Sequence, residues 1–234
     1  DGLYAVSMTL LRGELNNISV GTGDTIIYTL KDSAVASSKF NGDTVKTLWN
    51  GPFTTWRTGV LGSGVLLTTK ASISLPGYAY SLISGSLSKL VGPLNGLVAI
   101  ANPGGNYLMY SYTDGNTTRL FTREAGKGTI VEFSPSTLAE KCVGSTKEKG
   151  IFYCGVPAEG VGLNEPDMWY QGKAHFADAL WRFNALTEAA TLVVDPGEMF
   201  GVSLDLSSAV LSSDEQYLVF INKRDLSLWA LSLR

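Results

Sequence analysis

Two cysteines and one crowded loop hold the residues whose types and spacing suit chemistry. Cys142 and Cys154 are the only cysteines, and in AEKCVGSTKEKGIFYC they lie symmetrically about Glu148, either side of a TKEK turn. Directly opposed residues of an antiparallel strand pair stand within the span of a disulfide. The spacing therefore predicts a bond joining the first two strands of one unit, and with it an oxidising compartment outside the cytoplasm. Two small buried thiols are the alternative. Metal binding is disfavoured, because two cysteines and the single histidine, His175, do not complete a four-ligand zinc set without carboxylates. Glu165, Asp167 and Asp178 are oxygen donors without the spacing of a calcium loop. No metal and no cofactor is expected.

The loop runs from about Pro157 to Asp178 and gathers Glu159, Asn164, Glu165, Asp167, Trp169, Tyr170, Gln171, Lys173, His175 and Asp178. Aromatics beside amides and carboxylates suit a carbohydrate- or peptide-binding face, with flat apolar area and directional polar groups at its edge. Phe53, Trp56, Asp167, Trp169, Tyr170, His175 and Phe200 are the ligand-binding candidates on this reasoning. The competing expectation is that Trp169 and Tyr170 fold back onto the scaffold. His175 has no nucleophile partner in any recognisable segment, and no GxSxG is present, which argues against a Ser-His-acid hydrolase. Glycosidic cleavage needs two facing carboxylates. Glu140 and Asp205 are the candidates on inner strands, with Asp167 as a loop carboxylate able to reach inward.

The elements that must carry these residues recur about every 40 residues, a period that reads as a β-propeller of four-stranded blades. Ile26-Ile27-Tyr28, Val65-Leu66-Leu67, Leu108-Met109-Tyr110, Ile151-Phe152-Tyr153 and Leu218-Val219-Phe220 align as the second strand of successive units, most of them closely preceded by glycine. The expected fold is all-β, a single propeller domain over 1–234. Its four-stranded antiparallel blades fall at about 16–49, 54–91, 94–134, 137–195 and 203–234. The last unit holds only three strands, and residues 3–11 form an orphan strand that would complete it and close the ring. A six- or seven-bladed ring lacking its first blades is the competing architecture. Thr137 to Val143 and Glu188 to Val194 have a local helical character, but repeat position and β-branching favour strand for both. The b-to-c loops and d-to-a connectors of a propeller share one face, which brings the 157–178 loop beside Phe53, Trp56 and Phe200.

Composition narrows the function classes. The 234 residues are 44% hydrophobic with 26 glycines, and 18 basic against 21 acidic residues leave a net charge of −3. No basic stripe is present, so neither nucleic acid nor an anionic membrane surface is an expected partner. No apolar window reaches the length of a membrane-spanning helix, and no charged-then-apolar leader is expected in the chain as given, which begins at Asp1 and leaves open a leader, anchor or further blades upstream.

Five segments carry a resemblance: NGPFTTW at Asn50 to Trp56, LTTKASISLPGYAY at Leu67 to Tyr80, LAEKCVGSTKEKGIFYCGVP at Leu138 to Pro157, PDMWYQGKAHFADALWRFNALTEAATLV at Pro166 to Val193, and LSSDEQYLVFINKRDLSLWAL at Leu211 to Leu231. In these the chain resembles WD40- and TolB-like β-propeller proteins of candidate-phyla bacteria of the Patescibacteria type. The resemblance implies a propeller, further strands upstream and an N-terminal membrane anchor, and it supplies no catalytic residues. The expected function is a non-catalytic extracytoplasmic binding module. It would present loop 157–178 and neighbouring connectors to a protein or glycan partner at the cell envelope. A propeller-type glycoside hydrolase is the alternative.

Overall fold

The computed structural model describes residues 10, 14–31, 34–52, 55–115 and 117–234. Strands β1 (Leu15–Val20), β2 (Thr25–Leu30), β3 (Val35–Lys39) and β4 (Lys46–Trp49) form the first blade. The second comprises β5 (Arg57–Leu61), β6 (Gly64–Thr68), β7 (Pro76–Ile83) and β8 (Ser86–Asn95). The third comprises β9 (Val98–Asn102), β10 (Tyr107–Asp114), β11 (Thr117–Glu124) and β12 (Ile130–Phe133). The fourth comprises β13 (Cys142–Gly144), β14 (Ile151–Pro157), β15 (Asp178–Asn184) and β16 (Ala189–Val194), with the short helix α1 (Asp167–Tyr170) between β14 and β15. Helix α2 (Pro196–Phe200) then leads to β17 (Leu206–Leu211), β18 (Tyr217–Asn222) and β19 (Leu228–Ser232), the fifth blade. Every strand pair is antiparallel and joins neighbours in sequence. The five sheets stand in a ring, a five-bladed β-propeller.

The second strands of blades two, three and four are apolar without alternation because each is covered on both faces by neighbouring blades, while side chains still alternate between the faces; β18 of blade five instead alternates buried with more open residues. Val65 and Leu67 pack with Ile27 and Val35 of blade one and with Trp56, just before β5, whereas Leu66 joins Leu108 and Tyr110 of blade three. Met109 points the other way, into a cluster with Cys142, Phe152, Cys154 and Phe183 of blade four. Leu180 of blade four meets Leu206, Leu218 and Phe220 of blade five. The hydrophobic core is thus a set of inter-blade seams. Glycine is required where backbones crowd: a Cβ on Gly155 of β14 would stand 2.6 Å from Leu206 Cβ and 2.8 Å from the Asp178 carboxylate.

The structure departs from the sequence expectation in two places. Within the expected strand from 137 to 143, Ala139–Lys141 form a 3-10 turn and β13 begins only at Cys142; both Ala139 and Lys141 are buried by that turn. The connector before blade five is helical. Asp195 caps α2 by accepting from the amides of Gly197 and Glu198, Pro196 opens it, and Gly201 ends it at φ 65°. Blade five has three strands among the described residues. The strand expected to complete it, residues 3–11, falls outside the described residues except for Leu10. At the seam between blades five and one, Ile18, Val20 and Val210 remain exposed.

Candidate functional site

The innermost strands β1, β5, β9, β13 and β17 line a central cavity of about 590 Å³. Its polar wall is built by hydroxyls and an amide. Asn17 Oδ1 accepts from the Thr58 amide at 2.9 Å and from the Thr58 hydroxyl at 3.0 Å, and Ser19 Oγ lies 2.8 Å from the same hydroxyl. One mouth is bordered by the a-to-b turns, with Gly21, Thr22, Pro103 and Thr146 at its rim.

Near the opposite end stand the charges. Arg57 Nη1 donates to Glu140 Oε2 at 2.9 Å and to the Tyr170 hydroxyl at 3.2 Å. That hydroxyl in turn donates to Glu140 Oε2. The guanidinium carbon sits 5.3 Å from the centre of the Tyr170 ring. Burial works against the Arg57 charge but is outweighed by Tyr170 and Glu140, so the guanidinium is held more firmly protonated than usual. Burial first, then the Glu140 carboxylate, push the Tyr170 phenol far above its ordinary range. It keeps its proton, which it shares with Glu140 while accepting from Arg57.

The 157–178 insertion lies across this end and ties four blades together. From blade four it reaches blade two, where Asp167 Oδ2 accepts from the Ile73 amide at 2.8 Å and the Ser72 hydroxyl at 3.2 Å. It reaches blade three, where Thr113 Oγ1 donates to the Glu165 carbonyl at 2.9 Å. On blade five, Lys223 Nζ donates to the Trp169 carbonyl at 2.6 Å and Arg224 to the Phe176 carbonyl at 3.4 Å. Trp169 is 3% exposed and packs with Leu138 and Phe176, its amide donating to Glu165 Oε2 at 2.7 Å. Burial raises the Glu165 carboxyl above its ordinary range.

Beneath Trp169 lies a buried charge cluster. Lys141 is wholly buried, and its Nζ donates to Asp205 Oδ1, to Asp178 Oδ2 at 2.8 Å and to the Leu206 carbonyl at 3.3 Å. It faces the rings of Trp169 and Phe176 at 5.0 and 4.9 Å. Trp169 Nε1 donates to both oxygens of Asp205, at 3.0 and 3.1 Å. His175 Nδ1 approaches Asp205 Oδ2 to 3.6 Å from a partly exposed position. Burial, only partly opposed by Lys141, pushes the Asp178 carboxyl up to about 6.

Several residues singled out from sequence therefore stand elsewhere than a ligand face requires. Trp169 is interior. Trp56 is 2% exposed and packs edge-on against Trp49 and Tyr80. Asp167 spends its carboxylate on blade two, and Tyr170 spends its hydroxyl on Glu140. Phe200 is 66% exposed on α2, and His175 is partly open. Phe53 lies outside the described residues. Asp205 is fully buried and neutralised by Lys141, and Glu140 is paired with Arg57. Cys142 and Cys154 are directly opposed on β13 and β14 and are disulfide-bonded.

Arg57 and Lys141 are not legible as site residues from sequence, because a facing acid pair is the pattern glycosidic cleavage requires and a lone base on an inner strand matches no such pattern. Between them the segments TTWRTGV and LAEKCVG carry Arg57 and Lys141, one base for each of Glu140 and Asp205. Asn102 was missed as well: fully buried, it donates to the carbonyls of Ser145, Glu148 and Ile151 and accepts from the Gly150 amide at 2.8 Å, pinning the a-to-b turn of blade four to blade three.

No protein-family model and no curated protein sequence matches the chain. Solved structures do. TolB from Acinetobacter baumannii superposes with a TM-score of 0.60 at 14% identity, over 90% of this chain and 49% of that one; the chain thus spans about half the length of that protein. A hydrazine synthase chain from Kuenenia stuttgartiensis matches at TM-score 0.57 and 11% identity over 92% of this chain and 70% of that one. A chain of the nidogen/laminin complex matches at TM-score 0.56 and 6% identity over 94% and 76%. At these identities the likeness is one of fold, and the fold is the β-propeller that TolB shares.

Proposed function

We propose that the chain is a non-catalytic, extracytoplasmic interaction module that receives a protein partner on the face carrying the 157–178 insertion and the α2 connector. The observation that carries this reading is the exposed apolar step on that face. Met199 and Phe200 are 65% and 66% exposed on α2, beside an apolar cleft of about 320 Å³ lined by Phe200, Val202, Phe220, Trp229 and Leu231. Contiguous exposed apolar surface of this kind is typical of protein contact sites. The disulfide favours a location outside the cytoplasm. The nidogen/laminin complex among the structural neighbours, a protein–protein assembly, also favours protein over glycan as the partner.

A glycosidase is not favoured. Its two carboxylates must be free to exchange protons and to meet a sugar, whereas Glu140 is ion-paired and Asp205 is buried beneath the insertion. A photo-reactive residue placed at position 200, with position 130 on β12 as control, tests the proposal in envelope extracts, run beside a glycan array. The expected result is a protein adduct at position 200 that Met199→Asp abolishes. Glycan binding without an adduct, or equal labelling at both positions, would overturn it.

A further inference from the structure

The cluster beneath Trp169 has a composition that an ordinary buried ion pair does not need. Replacing buried pairs by apolar side chains is often neutral or stabilising, so one lysine with two aspartates in a dry seam is a costly way to hold two blades together. All three side chains are at least nine-tenths buried. The lysine nitrogen contacts an oxygen of each carboxyl group. Aromatic rings shield it on two sides. Trp169 Nε1 is aimed at the Asp205 oxygens, where negative charge develops if Asp205 Cγ is attacked. Asp178 Oδ1 has no hydrogen-bond partner among the described residues, which leaves it free to carry a proton.

We propose that Lys141 and Asp205 form an intramolecular isopeptide bond, with Asp178 as the proton relay. One proton passes from the Lys141 ammonium through Asp178 to an Asp205 oxygen, and the freed amine attacks Asp205 Cγ to form the N–C bond. The Trp169 indole N–H stabilises the oxyanion of the tetrahedral intermediate. A second proton passes from nitrogen through Asp178 to the hydroxyl on that carbon, the C–O bond breaks, and one water leaves. Ammonium and carboxylate become a neutral amide and water, Asp178 returns to its starting state, and no oxidant or co-reactant is consumed. Holding nitrogen and carboxyl in contact removes the entropic barrier of a bimolecular reaction, and exclusion of solvent disfavours hydrolysis. The raised Asp178 carboxyl, near 6, suits a group that must both take and give a proton close to neutrality. The bond would join the turn before β13 to the residue before β17, so that blade four, stapled internally by Cys142–Cys154, is also linked covalently to blade five.

Intact-mass spectrometry on the folded wild-type chain, after reduction of the disulfide, decides the matter. The expected mass is one water below that of the sequence. Digestion should release a branched peptide linking Lys141 to Asp205, and Asp178→Asn should leave the full sequence mass or slow its loss severalfold. The full mass persisting in wild type that unfolds cooperatively, even after prolonged incubation, would overturn the proposal. So would a water loss that maps to a linear peptide, the mark of an aspartyl succinimide.

Discussion

Trp169 offers the sharpest test of the reading that the insertion is an internal plug and not a ligand-facing loop. Its ring is almost wholly buried between Leu138 and Phe176, and its indole N–H is bonded to the Asp205 carboxyl. Truncating a buried indole to alanine costs about 4 kcal/mol through lost burial and the cavity left behind. Trp169→Phe keeps most of the apolar area but leaves a buried Asp205 oxygen without its indole donor, which costs about 1–2 kcal/mol. Lys173→Ala, on the exposed part of the same loop, should change stability by less than about 0.5 kcal/mol. Urea unfolding followed by far-ultraviolet circular dichroism resolves these steps. The order Trp169→Ala, Trp169→Phe, Lys173→Ala is expected in falling cost, with the alanine variant losing a large share of the stability of an ordinary domain. Limited proteolysis should also find the 158–177 segment newly cleavable in the alanine variant, since its anchors on blades two, three and five depend on its packing. A loss below about 1 kcal/mol for Trp169→Ala would refute the plug, because no interior indole is removed so cheaply.

Two further outcomes follow from the same geometry. The Cys142–Cys154 bond closes a loop of sequence separation 12, so the Cys142→Ala/Cys154→Ala variant should be less stable by about 3 kcal/mol. Thiol titration of the unreduced, denatured protein should find none, and two reactive thiols would contradict the bond. Asp178, pushed up to about 6 from an ordinary 3.8, keeps its proton in the folded chain over a range where the unfolded chain has released it. Its contribution to stability is therefore present at low pH and lost as the pH rises through about 6, a difference of about 3 kcal/mol. The gap between Asp178→Asn and wild type, measured by chemical unfolding, should shift in favour of the variant by that amount from pH 3 to pH 7. A gap that does not move with pH would show that the group titrates normally.

The propeller was legible in the sequence because its blades repeat, and each repeat places an apolar second strand, in four of five closely preceded by a turn glycine, at the same phase. Leu66 and Met109 read alike in one dimension, as members of buried runs. Only the ring determines that one faces blade three and the other blade four. The cysteine pair was legible for a local reason: two strands joined by one short turn set their register by counting residues, and 142 must oppose 154. The capping signals of α2, Asp195-Pro196 and Gly201, stand in the sequence, in the stretch between the fourth and fifth units.

The chemistry of the 157–178 loop was not legible, since whether an aromatic faces solvent or interior depends on what stands opposite it. Trp169 looked like a ligand platform and Asp205 like a channel carboxylate. The fold makes them hydrogen-bond partners under a plug that reaches residues as distant in sequence as Ser72 and Lys223. Local spacing determined strands, turns and the disulfide, because those interactions close over a few residues. The tertiary structure alone decided which charges cancel, because Arg57 meets Glu140 and Lys141 meets Asp205 only once the blades have closed around a common axis.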